Sequence, residues 1–156
     1  MANGVRQAQR DLGISEGMPT PPLPQELTEF LARPNPSVIA SLMPDGSPHT
    51  AATWYIWEDG RVLVNMDETR KRLQYIRNDP RVSITVLGAD EWYRQITLRG
   101  RAASIEPDEG LKDIDRLSNH YMGGPYADRE SPRVSAWIEV ESWYGWIGGR
   151  FWTRSE

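Results

Sequence analysis

Apolar and polar residues alternate with a period of two over much of this chain, and in three places the period lengthens to that of a helix. Residues 37–43 (SVIASLM), 49–57 (HTAATWYIW) and 61–66 (RVLVNM) predict strands, separated by Pro44-Asp45-Gly46 and Asp59-Gly60. Asp-Gly between apolar runs predicts a tight hairpin, because glycine supplies the positive φ that such a turn needs. The three strands read as an antiparallel meander. Further strands follow at 81–88, where Val82, Ile84 and Val86 share a face, at 92–105, and at 133–146, where Val134, Ala136, Ile138 and Val140 alternate. Gly100 inside the long strand predicts a bulge or sharp bend.

Helical spacing first appears at 24–33, where Leu27, Phe30 and Leu31 share a face between Pro24 and Pro34. A second helix is predicted over 69–78, with Leu73 and Ile76 on its apolar side and Asp79-Pro80 as its stop. The third, 108–122, is opened by Pro107, carries Leu111, Ile114, Leu117 and Tyr121, and is closed by Gly123-Gly124-Pro125. The order α-β-β-β-α-β-β-α-β predicts a mainly β protein with short helices, its six antiparallel strands curled into a small barrel. Residues 1–23 predict a loose arm, since prolines at 19, 21, 22 and 24 prevent a continuous helix. Residues 24–150 then form one domain, which suits a length of 156 residues.

Composition narrows the function. Cysteine is absent, which excludes disulfides, thiolate catalysis and cysteine metal sites, and no metal site is expected. No apolar run approaches the roughly 20 residues that span a bilayer, so no membrane partner is expected. The opening MANGVRQAQRDLG lacks the charged-then-apolar order of a secretory leader, which leaves the cytoplasm as the expected location. A net charge of −4 argues against nucleic acid, whose phosphates demand a positive footprint.

One segment runs against that acidic balance. Between Glu68 and Arg81 lie five basic residues (Arg70, Lys71, Arg72, Arg77, Arg81) and two acidic ones (Glu68, Asp79). Either these are surface arginines of a short helix, or they gather one anionic ligand. The second reading has a physical basis, because a helix start leaves N–H groups unpaired and carries partial positive charge. Thr69 is the expected cap, its hydroxyl free for a backbone N–H or a phosphate oxygen. At about 100° per residue, Arg70, Lys71 and Gln74 lie opposite Leu73 and Ile76, and Arg72 flanks the apolar side.

The run VNMDETRKRLQYIRNDPRVSI (64–84), the later RQITLRGRA (94–102) and the PDGSP hairpin (44–48) resemble the split-barrel flavoproteins. That group includes pyridoxamine 5′-phosphate oxidases and the flavin- or deazaflavin-dependent reductases. The resemblance spans 37–147 and implies a six-stranded antiparallel split β-barrel, a homodimer with its cofactor site at the interface, and a small-molecule substrate. No RLHDR-type segment of the pyridoxamine oxidases occurs by Glu156, so the expectation is a reductase using coenzyme F420, a deazaflavin, with FMN as the alternative cofactor. It implies that Asn65, Thr69, Arg70, Lys71 and Arg72 surround the cofactor phosphate. Strand residues Thr50, Ala51, Ala52 and Thr53 would run along the ring; close packing inside the barrel is the other reading of the alanines. Gln95 falls near the flavin or the dimer interface, or is an exposed strand residue.

Seven tryptophans and six tyrosines suit a core or a dimer interface, and Trp54, Tyr93 and Tyr121 are candidates for a substrate wall. The acidic balance argues against a stacking platform for single-stranded nucleic acid. His49 and His120 have no carboxylate or serine at diagnostic spacing, so no catalytic acid–base residue is assigned. None is needed for hydride transfer, whose chemistry belongs to the cofactor ring. A cofactor carrier without turnover is the alternative outside enzymology.

Overall fold

The computed structural model describes residues 19–152. Of the arm expected over 1–23, residues 1–18 lie outside the described residues; the carbonyl of Pro19 accepts the Trp143 N–H at 3.0 Å. The elements are α1 (Gln25–Leu31), β1 (Ser37–Leu42), β2 (Pro48–Thr53), β3 (Ile56–Glu58), β4 (Arg61–Asp67), α2 (Lys71–Asn78), β5 (Arg81–Leu87), β6 (Gln95–Pro107), a 3₁₀ turn (Glu109–Leu111), α3 (Lys112–Met122), β7 (Arg133–Ile147) and β8 (Arg150–Trp152). All strand pairings are antiparallel, in the order β2-β1-β5-β6-β7-β4-β3, with β8 added to β7. The mainly β, split-barrel fold is as the sequence predicts. Among the described residues no helix is long and apolar enough to cross a membrane.

The meander is not. β2 and β3 stand at opposite ends of the hydrogen-bonded order although only Trp54 and Tyr55 separate them in sequence. The sheet must therefore curl until its two ends meet without pairing, which makes a seam. The predicted strand 49–57 breaks here because Tyr55 leaves the ladder. Its ring is fully buried, its hydroxyl donates to the Arg33 carbonyl at 3.0 Å, and its N–H donates to the Tyr121 hydroxyl at 3.4 Å. An eighth strand is also added, because Gly148 and Gly149 both adopt positive φ (65° and 73°) and turn the chain back onto β7.

The hairpin at Gly46 and the bend at Gly100 follow expectation. Gly46 has φ 84°, and a register shift falls between Arg99 and Gly100, where a Cβ would lie 1.9 Å from the Glu139 carbonyl oxygen. Two helix starts differ. α2 begins at Lys71, not 69, with Arg70 extended as its cap residue. Pro107 ends β6 instead of opening a helix, and Leu111 at φ 60° separates the 3₁₀ turn from α3. The Asp108 carboxylate explains this second start, since it accepts the N–H groups of Asp113 and Ile114, both at 2.9 Å.

The alternating faces of β4 to β7 close over one core. Val62, Val64, Ile84, Val86, Ile96, Leu98 and Ile138 are buried in it. α1 covers one end with Leu27, Phe30 and Leu31, and α2 adds Leu73 and Ile76. Burying such side chains is worth roughly 1.5–3 kcal/mol each. The two apolar residues of α2 thereby fix how its basic start faces the seam.

Candidate cofactor site at the seam

A cavity of about 970 Å³ opens where the two sheet ends meet, a size suited to a small cofactor or substrate. β2 lines it with His49, Ala51, Ala52 and Thr53, followed by Trp54; the end of β4 contributes Asn65, Met66 and Asp67. Thr69, Arg70, Lys71 and Arg72 approach from the start of α2, and Ile114, Leu117 and Tyr121 from α3. Tyr126 and Arg133 add to the wall, together with Pro34, Pro36 and Ser37 at the entry to β1.

One side of this cavity is cationic. Among the described residues Arg70, Lys71, Arg72 and Arg133 form no ion pair with any carboxylate. Arg72 is the most exposed to the consequence. Its Nε is shielded from solvent and has no hydrogen-bond partner among the described residues. Burial, then the neighbouring charges of Arg70 and Arg133, lower its pKa below the ordinary arginine value. A shielded cation beside two others is costly unless an anion joins them. Guanidinium groups accept phosphate in a bidentate way.

Thr69 does not cap α2. Its N–H and hydroxyl both turn back to Asp67 Oδ1, at 2.7 and 2.6 Å. These bonds, assisted by the charges of Arg133 and Arg70, hold the Asp67 carboxyl below its usual pKa. The turn so fixed carries Arg70 and Lys71 to the mouth of the cavity. By helix geometry the first amides of α2 have no partner within the helix.

Arg133 is placed by a buried polar network. Its Nε donates to Asn65 Oδ1 at 2.7 Å, and its guanidinium lies 4.8 Å from the centroid of the Tyr126 ring. Asn65 Nδ2 donates in turn to Asp108 Oδ2 at 3.0 Å and to the Ser135 hydroxyl at 3.2 Å. The Ser135 hydroxyl donates to Asp113 Oδ2 at 2.7 Å. One asparagine thus ties β4, β7 and the start of α3 together and aims Arg133.

The other side is aromatic. Trp54 stacks on Tyr121 with centroids 5.4 Å apart and planes 12° from parallel, and meets Tyr126 edge-on at 6.3 Å. The Tyr121 hydroxyl donates to the Asn35 carbonyl at 2.7 Å. Burial pushes the Tyr121 and Tyr55 phenols well above the ordinary tyrosine value, so both stay protonated.

Of the sequence candidates, Ala51, Ala52, Thr53, Trp54, Asn65, Thr69, Arg70, Lys71, Arg72 and Tyr121 come together on this cavity. Three do not. Thr50 is exposed and off the cavity wall. Gln95 opens β6 opposite Trp146, away from the cavity. Tyr93 is 56% exposed in the β5–β6 turn, packed edge-on against Trp92. Sequence reasoning missed Asp67, Tyr126 and Arg133. The signal for Arg133 was its pairing opposite Asp67 in the β4–β7 register, which becomes visible only once those strands are known to be neighbours.

Fold and site together define a class: a split antiparallel barrel with a ligand-sized cavity at its seam, cationic on one side and aromatic on the other. The chain belongs to the pyridoxamine 5′-phosphate oxidase family, whose model matches residues 23–147. Among solved structures it is similar to an F420 reductase, at 26% identity and TM-score 0.70 over 78% of this chain and 98% of that one. It is likewise similar to General Stress Protein 26 from Bacillus anthracis, at 26% identity and TM-score 0.62 over 83% of this chain and 96% of that one. An FAD-binding protein from Mesorhizobium loti shares the fold at 23% identity and TM-score 0.57, over 79% and 94% of the respective chains. No curated protein matches.

Proposed function

We propose that this protein is an oxidoreductase that holds coenzyme F420 in the seam cavity and transfers a hydride between it and a planar or conjugated organic substrate. The observation that carries this reading is the cationic wall: four positive side chains, none in an ion pair among the described residues and outnumbering the one carboxylate beside them, Asp67, face a cavity large enough for a phosphorylated tricycle. The similarity to an F420 reductase supports the choice of cofactor.

Arg70, Lys71, Arg72 and Arg133 would hold the phosphate, and Ala51 keeps the inner surface of β2 low enough for a flat ring to lie along it, with Ala52 at the edge of the cavity. A deazaflavin or flavin, when bound, supplies or accepts the hydride. Ile114 and Leu117 exclude water from the ring side, and Trp54 stacked on Tyr121 offers a flat wall to a conjugated substrate. No proton-transfer side chain is required for the redox step itself.

Titration of the purified protein with F420, followed by deazaflavin fluorescence, is expected to show saturable micromolar binding; none at tens of micromolar rejects the reading. FMN is the second candidate, favoured by the similarity to an FAD-binding protein, and is titrated in parallel. Tight binding with no oxidation of the reduced cofactor by enones, quinones or tetrapyrroles would make the protein a carrier.

A homodimer belongs to the same proposal. On the outer sheet face Val38, Thr85, Thr97 and Tyr144 form one row across four strands by direct pairing. Val38, Tyr144 and Phe151 on or beside that row are 37%, 39% and 57% exposed. The row continues through Val38 to Ala52, at the edge of the cavity. A second copy seated there would border the cofactor. Sedimentation showing only a 17.8 kDa species would refute the dimer.

A further inference from the structure

Four side-chain polar atoms are shielded from solvent without a partner among the described residues, and two of them, His49 Nδ1 and Arg72 Nε, belong to the same cavity wall. His49 sits on the inner face of β2 with Ala51 and Thr53, and its ring meets Tyr75 edge-on at 5.4 Å. Tyr75 lies three residues after Arg72 on α2, so the imidazole rests against the helix that carries the basic residues. Ser41 stands directly across on β1 but makes no bond to it.

The two ring nitrogens differ in surroundings. Nδ1 is shielded from solvent and has no hydrogen-bond partner among the described residues, while Nε2 makes no hydrogen bond among them and is not shielded. A buried N–H without an acceptor is less tolerable than a bare lone pair. The proton therefore belongs on Nε2, the nitrogen left open on a cavity-lining ring.

We propose that His49 is a binding determinant for the anionic group of the ligand, donating Nε2–H to it from β2 while Arg70, Lys71 and Arg72 contact it from α2. This rests on the cofactor reading above and adds a donor from the strand along which the ring would lie. A tail gripped from both α2 and β2 fixes where along β2 the ring begins. His49 thereby selects for ligands whose anion and ring are joined at the right separation.

The chain has only two histidines, His49 and His120, so their imidazole signals are readily assigned in a long-range ¹H–¹⁵N spectrum with His120→Gln as reference. The expected spectrum shows the Nε2–H tautomer for His49, and its signals move on titration with FMN or with inorganic phosphate. An Nδ1–H tautomer, or signals indifferent to both ligands, overturns the proposal.

Affinity supplies the second readout. His49→Phe is expected to weaken FMN binding at least tenfold while leaving riboflavin, the same ring without phosphate, within about threefold. His49→Gln keeps an N–H donor and recovers part of the loss. Equal losses for FMN and riboflavin would mean that the ring only shapes the cavity, and the proposal fails. If the unaltered protein binds neither FMN nor F420, the cofactor reading falls on its own account. In that case the response of His49 to inorganic phosphate still decides whether an anion seat exists. The spectrum needs no variant at position 49, so a misfolded His49→Phe cannot leave the matter open.

Discussion

Arginines differ in setting in this molecule: several exposed ones are ion-paired, Arg33, Arg61 and Arg77 form no ion pair among the described residues and lie off the cavity, and those at the seam are gathered on one cavity wall. On the outer surface Arg81 pairs with Asp79 at 2.6 Å, Arg101 with Glu141 at 3.0 Å, Arg129 with Asp115 at 2.5 Å, and Arg116 with Glu58. Around the seam cavity Arg70, Arg72 and Arg133 form no ion pair among the described residues, Asp67 being the one carboxylate whose charge reaches Arg70 and Arg133, and Arg72 is half-buried. The chain has more acidic than basic residues, so a shortage of carboxylates does not explain the difference. Surface pairs are each worth little and are screened by water. Unpaired cations held at a cavity cost stability, and a protein retains that cost where an incoming anion offsets it.

The contrast breaks most visibly at the mouth of the cavity. Arg70→Ala with Lys71→Ala is expected to weaken binding of the phosphorylated cofactor by about 3–6 kcal/mol, since charge-assisted hydrogen bonds are each worth roughly 1.5–3 kcal/mol. Both side chains lie off the apolar face of α2, so the melting temperature should hardly move. Arg81→Ala, from the paired set, should leave cofactor titrations unchanged. Loss of affinity there would erase the distinction between the paired arginines and those of the seam.

Asn65→Leu comes next. It strips the Asp108 carboxylate and the Arg133 guanidinium of a partner at once, at an expected cost of about 2–4 kcal/mol in urea unfolding. Cofactor affinity should fall with it, because Arg133 loses its aim. Arg72→Met tests the same idea from the opposite side. Replacing a shielded, unpaired cation by an apolar chain of similar length is expected to stabilise the free protein by about 1 kcal/mol and to weaken binding. Destabilisation of the free protein would show that Arg72 is structural.

The smallest effect concerns pH. Hydrogen bonds from Arg81 hold the Asp79 carboxyl at about 2, against an ordinary value of 3.8. A carboxyl depressed on folding contributes stability above its unfolded value, and that contribution fades as pH falls through the folded one. Asp79→Asn should therefore flatten the acid limb of stability between about pH 4 and 2, slightly, because the pair is exposed. Cofactor binding near neutral pH should be untouched.

How much of this was legible in the chain differs by element. Local chemistry marked the Asp-Gly hairpins, the bend at Gly100 and the apolar face of α2, since each depends on residues close in sequence. The separation of β2 from β3 was hidden, because it depends on Tyr55 bonding to Arg33 and Tyr121, the latter 66 positions away. Likewise the basic run announced Arg70, Lys71 and Arg72, whereas Arg133 reaches the site only through the β4–β7 register. Thr69 looked like a cap by residue type alone, and the carboxylate of Asp67, two residues earlier, took both its donors.

The central claim is that the unpaired cations at the seam exist to hold a phosphate. Affinity for the phosphorylated cofactor, divided by affinity for the same ring lacking phosphate, measures it directly in the unaltered protein and in Arg70→Ala/Lys71→Ala. The account predicts a ratio of at least 100 in the first, collapsing towards unity in the second. A ratio near unity in the unaltered protein, or one that survives the double replacement, would contradict it.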